Sequence, residues 1–212
     1  ASRGLWYAPD PASRAISTIG GNIATNAGGL LCAKYGVTRE AVLGLKVVLA
    51  DGRLISTGHH TVKGVTGYDL TALMTGSEGT LGVIVEATLR LRPLPRGGVS
   101  TLSGSFASVE DAARAAAVIV ASGIKPAIME LLDAASLASI REYLDVNLGP
   151  GALLLVQTDE TASESEAADA AAVMRSLGGT VELTTDRDEG ERLFAIRRAF
   201  HPSLVATGRT VL

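Results

Sequence analysis

The sequence predicts an α+β fold in two successive domains, the second close to the ferredoxin-like pattern, and three observations carry this reading. After residue 98, strand-like and helix-like stretches alternate at the lengths of a small sheet covered by helices. Before it, short apolar strands are separated by glycine-rich turns. Between the two the composition steps: residues 1–98 hold ten Lys/Arg against six Asp/Glu and 16 of the 24 glycines, whereas residues 99–212 hold nine against sixteen and 21 alanines against 11. Pro93-Leu94-Pro95-Arg96-Gly97-Gly98 reads as the connector, which gives domains of residues 1–96 and 97–212.

In the first domain, Ala41 to Thr57 holds two strand-like runs around Asp51-Gly52, a pair that tolerates positive φ at both positions and so predicts a hairpin with a type I′ turn. Tyr68 to Thr75 is a short helical piece, on which Tyr68 is expected to pack. Thr80 to Arg92 alternates Val83, Val85, Ala87, Leu89 and Leu91 on one side with Glu86, Thr88, Arg90 and Arg92 on the other, the pattern of a half-buried strand. In the second domain Val99 to Phe106 is strand-like. Ser108 offers an N-cap to a helix carrying Val109, Ala112, Ala113, Ala116 and Val120 at helical spacing, and Gly123 ends it. Pro126 to Leu132 and Ala152 to Thr158 read as strands, and Asp133 to Asn147 and Ser163 to Leu177 as helices. Thr180 to Thr184 and a helix from about Asp188 to His201 complete the series. The helices are expected on one face of the sheet.

At 47% hydrophobic and 19% charged residues, the chain has a globular composition. Its longest unbroken apolar stretches, Ala115 to Ala121 and Ala152 to Val156, fall far short of the roughly 18–20 residues that a membrane-spanning helix requires. The first ten residues lack a basic segment followed by an apolar one, so no signal peptide is expected and the expected location is cytoplasmic. A single cysteine, Cys32, excludes an internal disulfide and a cysteine-rich zinc site. Its default role is that of a small buried hydrophobe. Eight aromatic residues and the absence of a basic run argue against nucleic acid as a partner.

Two segments expose backbone. Ile16 to Gly29 contains Gly20-Gly21 and Gly28-Gly29 separated by small and polar residues, and Gly76 to Gly82 packs three glycines into seven residues. Accessible amide N–H groups of this kind suit a polyanion such as a pyrophosphate. Each segment could equally be an ordinary turn. Neither has the Gly-x-Gly-x-x-Gly spacing of a Rossmann unit, and no Gly-Lys-Ser/Thr phosphate loop is present.

Taken together, Pro9-Asp10-Pro11, Ser17 to Gly29, Lys34-Tyr35-Gly36, Thr66-Gly67-Tyr68-Asp69-Leu70 and Gly76 to Ile84 form five ordered motifs between Pro9 and Pro93. This block resembles the FAD-linked oxidase family, which has the PCMH-type (vanillyl-alcohol-oxidase) FAD-binding fold, in its glycolate oxidase/D-lactate dehydrogenase branch. The resemblance implies that residues 1–96 are the second part of the FAD-binding domain and residues 97–212 most of a substrate cap. It implies FAD as cofactor, contacted by Pro9, Asp10, Ser17, Thr18, Gly20, Gly21, Asn22, Thr25, Asn26, Ala27, Gly28, Glu78, Gly79, Thr80, Leu81, Gly82, Val83 and Ile84, largely through backbone amides. The implied reaction is oxidation of a small 2-hydroxy acid by hydride transfer to the flavin, with an iron-sulfur subunit or a quinone as possible electron acceptor. Val65 in Lys63-Gly64-Val65-Thr66-Gly67 departs from the Lys-Asp-Asn-Thr-Gly form typical of 2-hydroxyglutarate dehydrogenases, which favours glycolate or D-lactate.

Neither the family's N-terminal phosphate-loop subdomain nor its C-terminal histidine motif is present. The 212 residues are therefore expected to be an internal piece of a protein about twice as long, inactive alone. His59, His60 and His201 receive no role, no metal ligand is assigned, and Asp69 and Glu78 form no acid/base dyad. In the last helix, Arg197 lies about 40° from Leu193, beside Leu193, Ile196 and Phe200, while Arg198 points away. Its position is similar to that of a family arginine that binds the substrate carboxylate, for which a guanidinium fork is the fitting donor; the alternative is a surface or helix-end arginine. Two other functions stay open: a flavin-dependent alkyl transfer like that of alkylglycerone-phosphate synthases, which carry Arg and Ser in the stretch matching Thr25 to Gly28, and a non-catalytic association module.

Overall fold

The chain, a computed structural model describing residues 3–61 and 63–208, divides after Leu94 into two units. The first runs β1 (Leu5–Trp6), α1 (Ile19–Thr25), α2 (Cys32–Tyr35), α3 (Thr38–Ala41), β2 (Val42–Val48), β3 (Leu54–Gly58), α4 (Leu70–Met74), β4 (Val83–Leu89) and β5 (Arg92–Pro93). Strand β2 is the centre of an antiparallel sheet ordered β3-β2-β4. Its Val42, Leu45 and Val47 are buried with Ile23 of α1 and Met74 of α4. Each such side chain contributes about 1.5–3 kcal/mol on full burial, so this small cluster fastens both helices to the sheet. Strand β1 pairs with β5. Trp6 clamps that pair, because Nε1 donates to the Pro93 carbonyl at 3.0 Å and the ring meets Tyr35 edge-on at 5.2 Å.

Two local features differ from the sequence expectation. The β2–β3 hairpin forms, but its turn is not type I′. Gly52 N–H donates to the Leu49 carbonyl at 2.9 Å, and of the Asp-Gly pair only Gly52 takes a positive φ, +84°. The Asp51 carboxylate accepts from the Arg53 amide and its Nε at 3.1 and 2.6 Å, a local bonding that leaves the left-handed position to the glycine alone. In β4, Lys46 pairs with Glu86 but Val47 pairs with Ile84, so Val85 is an extra, bulged residue. The bulge reverses the alternation: Ile84 joins Ala87 and Leu89 against the core, while Val83 and Val85 are 64% and 57% exposed.

The second unit runs β6 (Ser100–Phe106), α5 (Val109–Ala121), β7 (Ile128–Leu132), α6 (Ala134–Leu144), β8 (Ala152–Thr158), α7 (Ser163–Ser176), β9 (Thr180–Thr184), α8 (Arg187–Arg198) and α9 (Phe200–Ala206). The sheet order is β7-β8-β6-β9, every pair antiparallel. This is the ferredoxin-like order, with α6 standing where that pattern has a hairpin and α8–α9 appended. Leu102, Phe106, Leu154 and Val156 pack on Ala112, Ala115 and Ile119 of α5 and on Ala167, Ala170 and Met174 of α7. Helices α6 and α8 lie on the other face, so the expectation of helices on one face is corrected. The reason is visible in β8, whose residues Ala152 to Val156 are all buried. Leu153 and Leu155 point away from Leu154, and a strand buried on both sides needs cover on both. The last predicted helix also divides, at Ala199. Pro202 has no N–H for the Arg198 carbonyl four residues back, and its ring crowds that carbonyl.

Three of the five helix starts in this unit, those of α5, α6 and α8, are capped by side chains: Ser108, Asp133 and Asp186 accept from the amides of Asp111, Ser136 and Glu189 at 3.1, 2.8 and 2.9 Å. Hydrogen bonds from the Ser136 side chain and amide hold the Asp133 carboxyl below its ordinary range. Its contribution is therefore full above the unfolded-state value, about 3.9, and is lost as pH falls through the depressed one. Asp133→Ala is expected to cost about 1 kcal/mol at neutral pH, with the difference from the parent shrinking in acid. Urea unfolding followed by circular dichroism at neutral and acid pH checks both parts.

Candidate flavin site

Three of the sequence motifs meet in the first unit, and backbone contacts bring them together. The Pro9 to Pro11 segment is held against the glycine run, with Pro11 bridged to Gly29 and the Asp10 carboxylate accepting from the Leu31 amide at 3.1 Å. Only glycine allows this approach, since a Cβ on Gly29 would stand 2.0 Å from the Asp10 carbonyl oxygen. The Ile16 to Gly29 segment is not an open loop throughout. Thr18 caps α1 by accepting from the Gly21 amide at 3.0 Å, and Asn26 ends the helix in the left-handed conformation at φ 50°. The last carbonyls of α1 then receive the third motif, Gly76 N–H donating to Ile23 and Glu78 N–H to Ala24, both at 2.9 Å. A helix end leaves its last carbonyls short of intrahelical partners, and among the described residues Ile23 otherwise accepts only the longer bond from the Asn26 amide at 3.3 Å. Asn26 Oδ1 accepts from the Arg39 amide at 2.9 Å, and Thr38 Oγ1 donates to the Ala27 carbonyl at 2.7 Å.

The assembled surface leaves particular groups bare. Gly20 and Gly21 are exposed, and a Cβ on Gly20 would meet nothing nearer than Thr18 Oγ1 at 4.0 Å. Ser17 Oγ is buried without a hydrogen-bond partner among the described residues. Glu78 holds φ +51°, a conformation that favours glycine, and it is exposed beside Gly79, Thr80 and Leu81. Val83 is turned outward by the bulge at Val85. Asn22 is buried in α1, and Thr25 Oγ1 donates to the Gly21 carbonyl at 3.0 Å. A bare glycine backbone, an unsatisfied buried hydroxyl, a strained carboxylate-bearing residue and an exposed apolar strip lie on one connected framework. That donor set suits a ligand carrying both a phosphate and a flat ring.

The remaining motifs lead elsewhere. Lys34-Tyr35-Gly36 and Thr66 to Leu70 border an open cleft of about 920 Å³, lined also by Arg39, Arg90 and Arg92 and by none of residues 17–29 or 76–84. Arg92 and Lys34 each place their cationic group 5.5 Å from the Tyr35 ring centre. Tyr68 does not pack as expected, being 94% exposed, because α4 starts only at Leu70 with Asp69 as its cap. Cys32 Sγ accepts from the Gly29 amide at 3.0 Å. Burial pushes its thiol above the ordinary range, so it stays a protonated structural group at neutral pH. His59 Nδ1 lies 2.9 Å from the Thr61 carbonyl oxygen.

In the second unit Arg197 projects from α8 to Glu130 of β7, Nε to Oε2 at 2.5 Å, whereas Arg198 pairs with Glu191 of its own helix. Sequence reading passed over Glu130. Its signal was the alternation Ile128, Glu130, Leu132, which puts a carboxylate on a strand face otherwise turned inward.

The first unit thus has the framework of a flavin-nucleotide-binding protein and the second that of an α+β cap. An FAD binding domain model matches residues 1–58, and the model of the FAD linked oxidases' C-terminal domain matches residues 98–212. The chain belongs to the FAD-linked oxidase family of PCMH type, with FAD as its cofactor. It is 43% identical to glycolate oxidase subunit GlcD of Bacillus subtilis over 98% of this chain and 44% of that protein. It is 38% identical to D-lactate dehydrogenase of Archaeoglobus fulgidus over 95% of this chain and 45% of that one. The chain therefore spans less than half the length of these relatives. An alkyldihydroxyacetonephosphate synthase structure superimposes with a TM-score of 0.69 over 96% of this chain and 41% of its own, at 20% identity, a likeness of fold alone. No helix among the described residues is long and apolar enough to cross a membrane.

Glu78 offers a test of strain at this site. A non-glycine residue in the left-handed region costs of order 1–3 kcal/mol, partly offset in the unfolded state by the greater freedom of glycine. Glu78→Gly is expected to stabilise the flavin-free protein by roughly 0.5–1 kcal/mol, which chemical denaturation measures.

Proposed function

We propose that this chain is the flavin- and substrate-contacting part of an FAD-dependent enzyme that oxidises a small 2-hydroxy acid, glycolate or D-lactate. The observation that carries the proposal is the open Gly20 position at the start of α1, whose far end receives the docked Gly76 to Gly82 turn, in a chain that matches a glycolate oxidase subunit and a D-lactate dehydrogenase over nearly all of its own length. Bound FAD would supply the redox chemistry, accepting hydride from the substrate α-carbon.

The residues of the chain bind and orient. The Ser17 and Thr18 hydroxyls and the Gly20 amide present donors where a pyrophosphate needs close approach, and Gly21, whose own N–H is held in the Thr18 cap, leaves the space beside them clear. Thr25 to Gly28 and Pro9-Asp10 support that wall, the latter fixed by the contact at Gly29. Glu78 to Ile84 offer a polar group and an apolar strip for the nucleotide and ring. Arg197 binds the substrate carboxylate through its guanidinium fork. A partner subunit or a quinone would accept the electrons, in keeping with the name of the B. subtilis relative as one subunit of an oxidase.

Gly20→Ala separates binding from folding. It places a methyl group in open space and suits a helical turn better than glycine by about 0.5–1 kcal/mol, so thermal stability without flavin is expected to hold or rise while flavin content falls at least tenfold. Gly21→Val is a poorer probe, because a Cβ there already sits 3.3 Å from Thr18 Oγ1 and disturbs the cap. Full flavin content in Gly20→Ala would remove these residues from the cofactor site.

The reaction is tested by anaerobic mixing of the flavin-loaded enzyme with glycolate, D-lactate, L-lactate and D-2-hydroxyglutarate. Bleaching of the visible flavin band by glycolate or D-lactate, faster than by the other two, is expected. Failure of every hydroxy acid to reduce the flavin would overturn the assignment.

A further inference from the structure

We propose that Glu130 is a positioning residue for substrate, holding one edge of the Arg197 guanidinium so that the other edge faces the incoming carboxylate. The inference rests on the carboxylate-binding role given to Arg197 above and adds the group that orients it.

Arg197 and Glu130 are 67 residues apart and are joined Nε to Oε2 at 2.5 Å, with side chains 32% and 22% exposed. Helix α8 is seated for this contact. A Cβ on Gly190 would stand 2.7 Å from Thr101 Oγ1 of β6, so the helix lies close on the sheet at that point. Gly190, Phe194 and Arg197 then follow one another along a single face at i, i+4 and i+7. Phe194 is 1% exposed, which fixes the rotation of the helix. Arg197 is thereby delivered to the edge strand β7 at the one carboxylate on its inward side.

The atom used matters. An arginine has five N–H donors, and a carboxylate takes two parallel ones. Glu130 occupies Nε, and among the described residues the terminal Nη atoms of Arg197 have no other partner. The neighbouring Arg198 is bound the other way, through Nη2 to Glu191 at 2.7 Å, and its terminal edge is engaged on its own helix. Of the two arginines only Arg197 keeps the two-pronged end open. Glu130 also neutralises its charge, so the pair selects a carboxylate by the geometry of the fork, which a lysine cannot reproduce.

The test compares Glu130→Met, which keeps the volume and loses the acceptor, with Glu130→Gln, which keeps an acceptor oxygen, and with Arg197→Met, all in the flavin-loaded enzyme. Two readouts are taken: KM and kcat for the preferred hydroxy acid, and the Kd of acetate, a carboxylate with no hydroxyl to oxidise, from perturbation of the flavin spectrum. Glu130→Met is expected to raise KM and the acetate Kd at least tenfold with a much smaller change in kcat, and Glu130→Gln to recover most of the loss. If Glu130→Met leaves both constants within twofold of the parent while Arg197→Met raises them more than tenfold, Glu130 is structural only and the inference falls alone. If Arg197→Met also changes neither constant, the reading of Arg197 falls and takes the inference with it.

Discussion

The first unit depends on two backbone hydrogen bonds, from Gly76 and Glu78 to the carbonyls of Ile23 and Ala24. A seven-residue helix is too short to persist by itself, and α1 carries two glycines in its first turn, which weakens it further. It forms because Thr18 caps its start, Ile23 is buried under β2, and the Gly76 to Gly82 turn satisfies its end. The same contacts determine where the turn lies. Two segments of weak intrinsic structure, some fifty residues apart, therefore order one another, and the surface read here as the flavin site is the outer side of their junction.

The second unit solves a different problem. Its sheet is covered on both faces, with alanine-rich stripes of α5 and α7 close against Leu102, Leu154 and Val156 on one side. On the other side, α8 approaches the sheet at Gly190 and carries Arg197 at its far end. Cover on both faces gives α8 a fixed seat, and the contact with Glu130 fixes one edge of the Arg197 guanidinium, the condition under which a flexible arginine becomes a specific fork. The ion pair with Glu130 is partly shielded, which makes it less subject to solvent screening than the exposed Arg198–Glu191 pair, whose side chains are 46% and 57% exposed.

Much of this was legible in the chain. The alternation of strands and helices after residue 98 corresponds to the observed series, since apolar periodicity is set by burial and burial is what the sheet and helices supply. The family, and with it the cofactor, were legible through the resemblance of five ordered motifs between Pro9 and Pro93, whereas the glycine spacing alone left ordinary turns equally open. What escaped was decided by hydrogen bonds and contacts that apolar periodicity does not encode, some local and some tertiary. The bulge at Val85 turns on register against β2, and an uninterrupted alternation from Val83 to Leu91 gives no sign of it. The turn at Asp51-Gly52 was decided by hydrogen bonds from Arg53. The break at Ala199 had a readable cause in Pro202, whose missing N–H acts four residues upstream. The Arg197–Glu130 pair joins two elements 67 residues apart, a separation across which no local pattern speaks.

The glycines of the first unit divide by what the fold asks of them. Gly29 and Gly82 are required for packing, since a Cβ would stand 2.0 Å from the Asp10 carbonyl oxygen at one and 2.7 Å from Val47 Cγ1 at the other. Gly52 and Gly76 are required for conformation, with φ of +84° at each. Gly20 meets neither demand. Its φ is outside the left-handed region, its Cβ position is open, and a helical turn favours alanine over glycine. Under the proposed function, its reason lies outside the chain, in a ligand that must come close to that backbone. Ser17 Oγ, buried without a hydrogen-bond partner among the described residues, and the left-handed Glu78 each carry a cost in the same unit, although the left-handed Asp145 and Glu160 of the second unit show that such a φ does not by itself mark a site. Under the proposed function these three features share one cause, because a ligand bound there would satisfy the Ser17 hydroxyl and use the open Gly20 position, and Gly20 is the glycine that neither packing nor a turn explains.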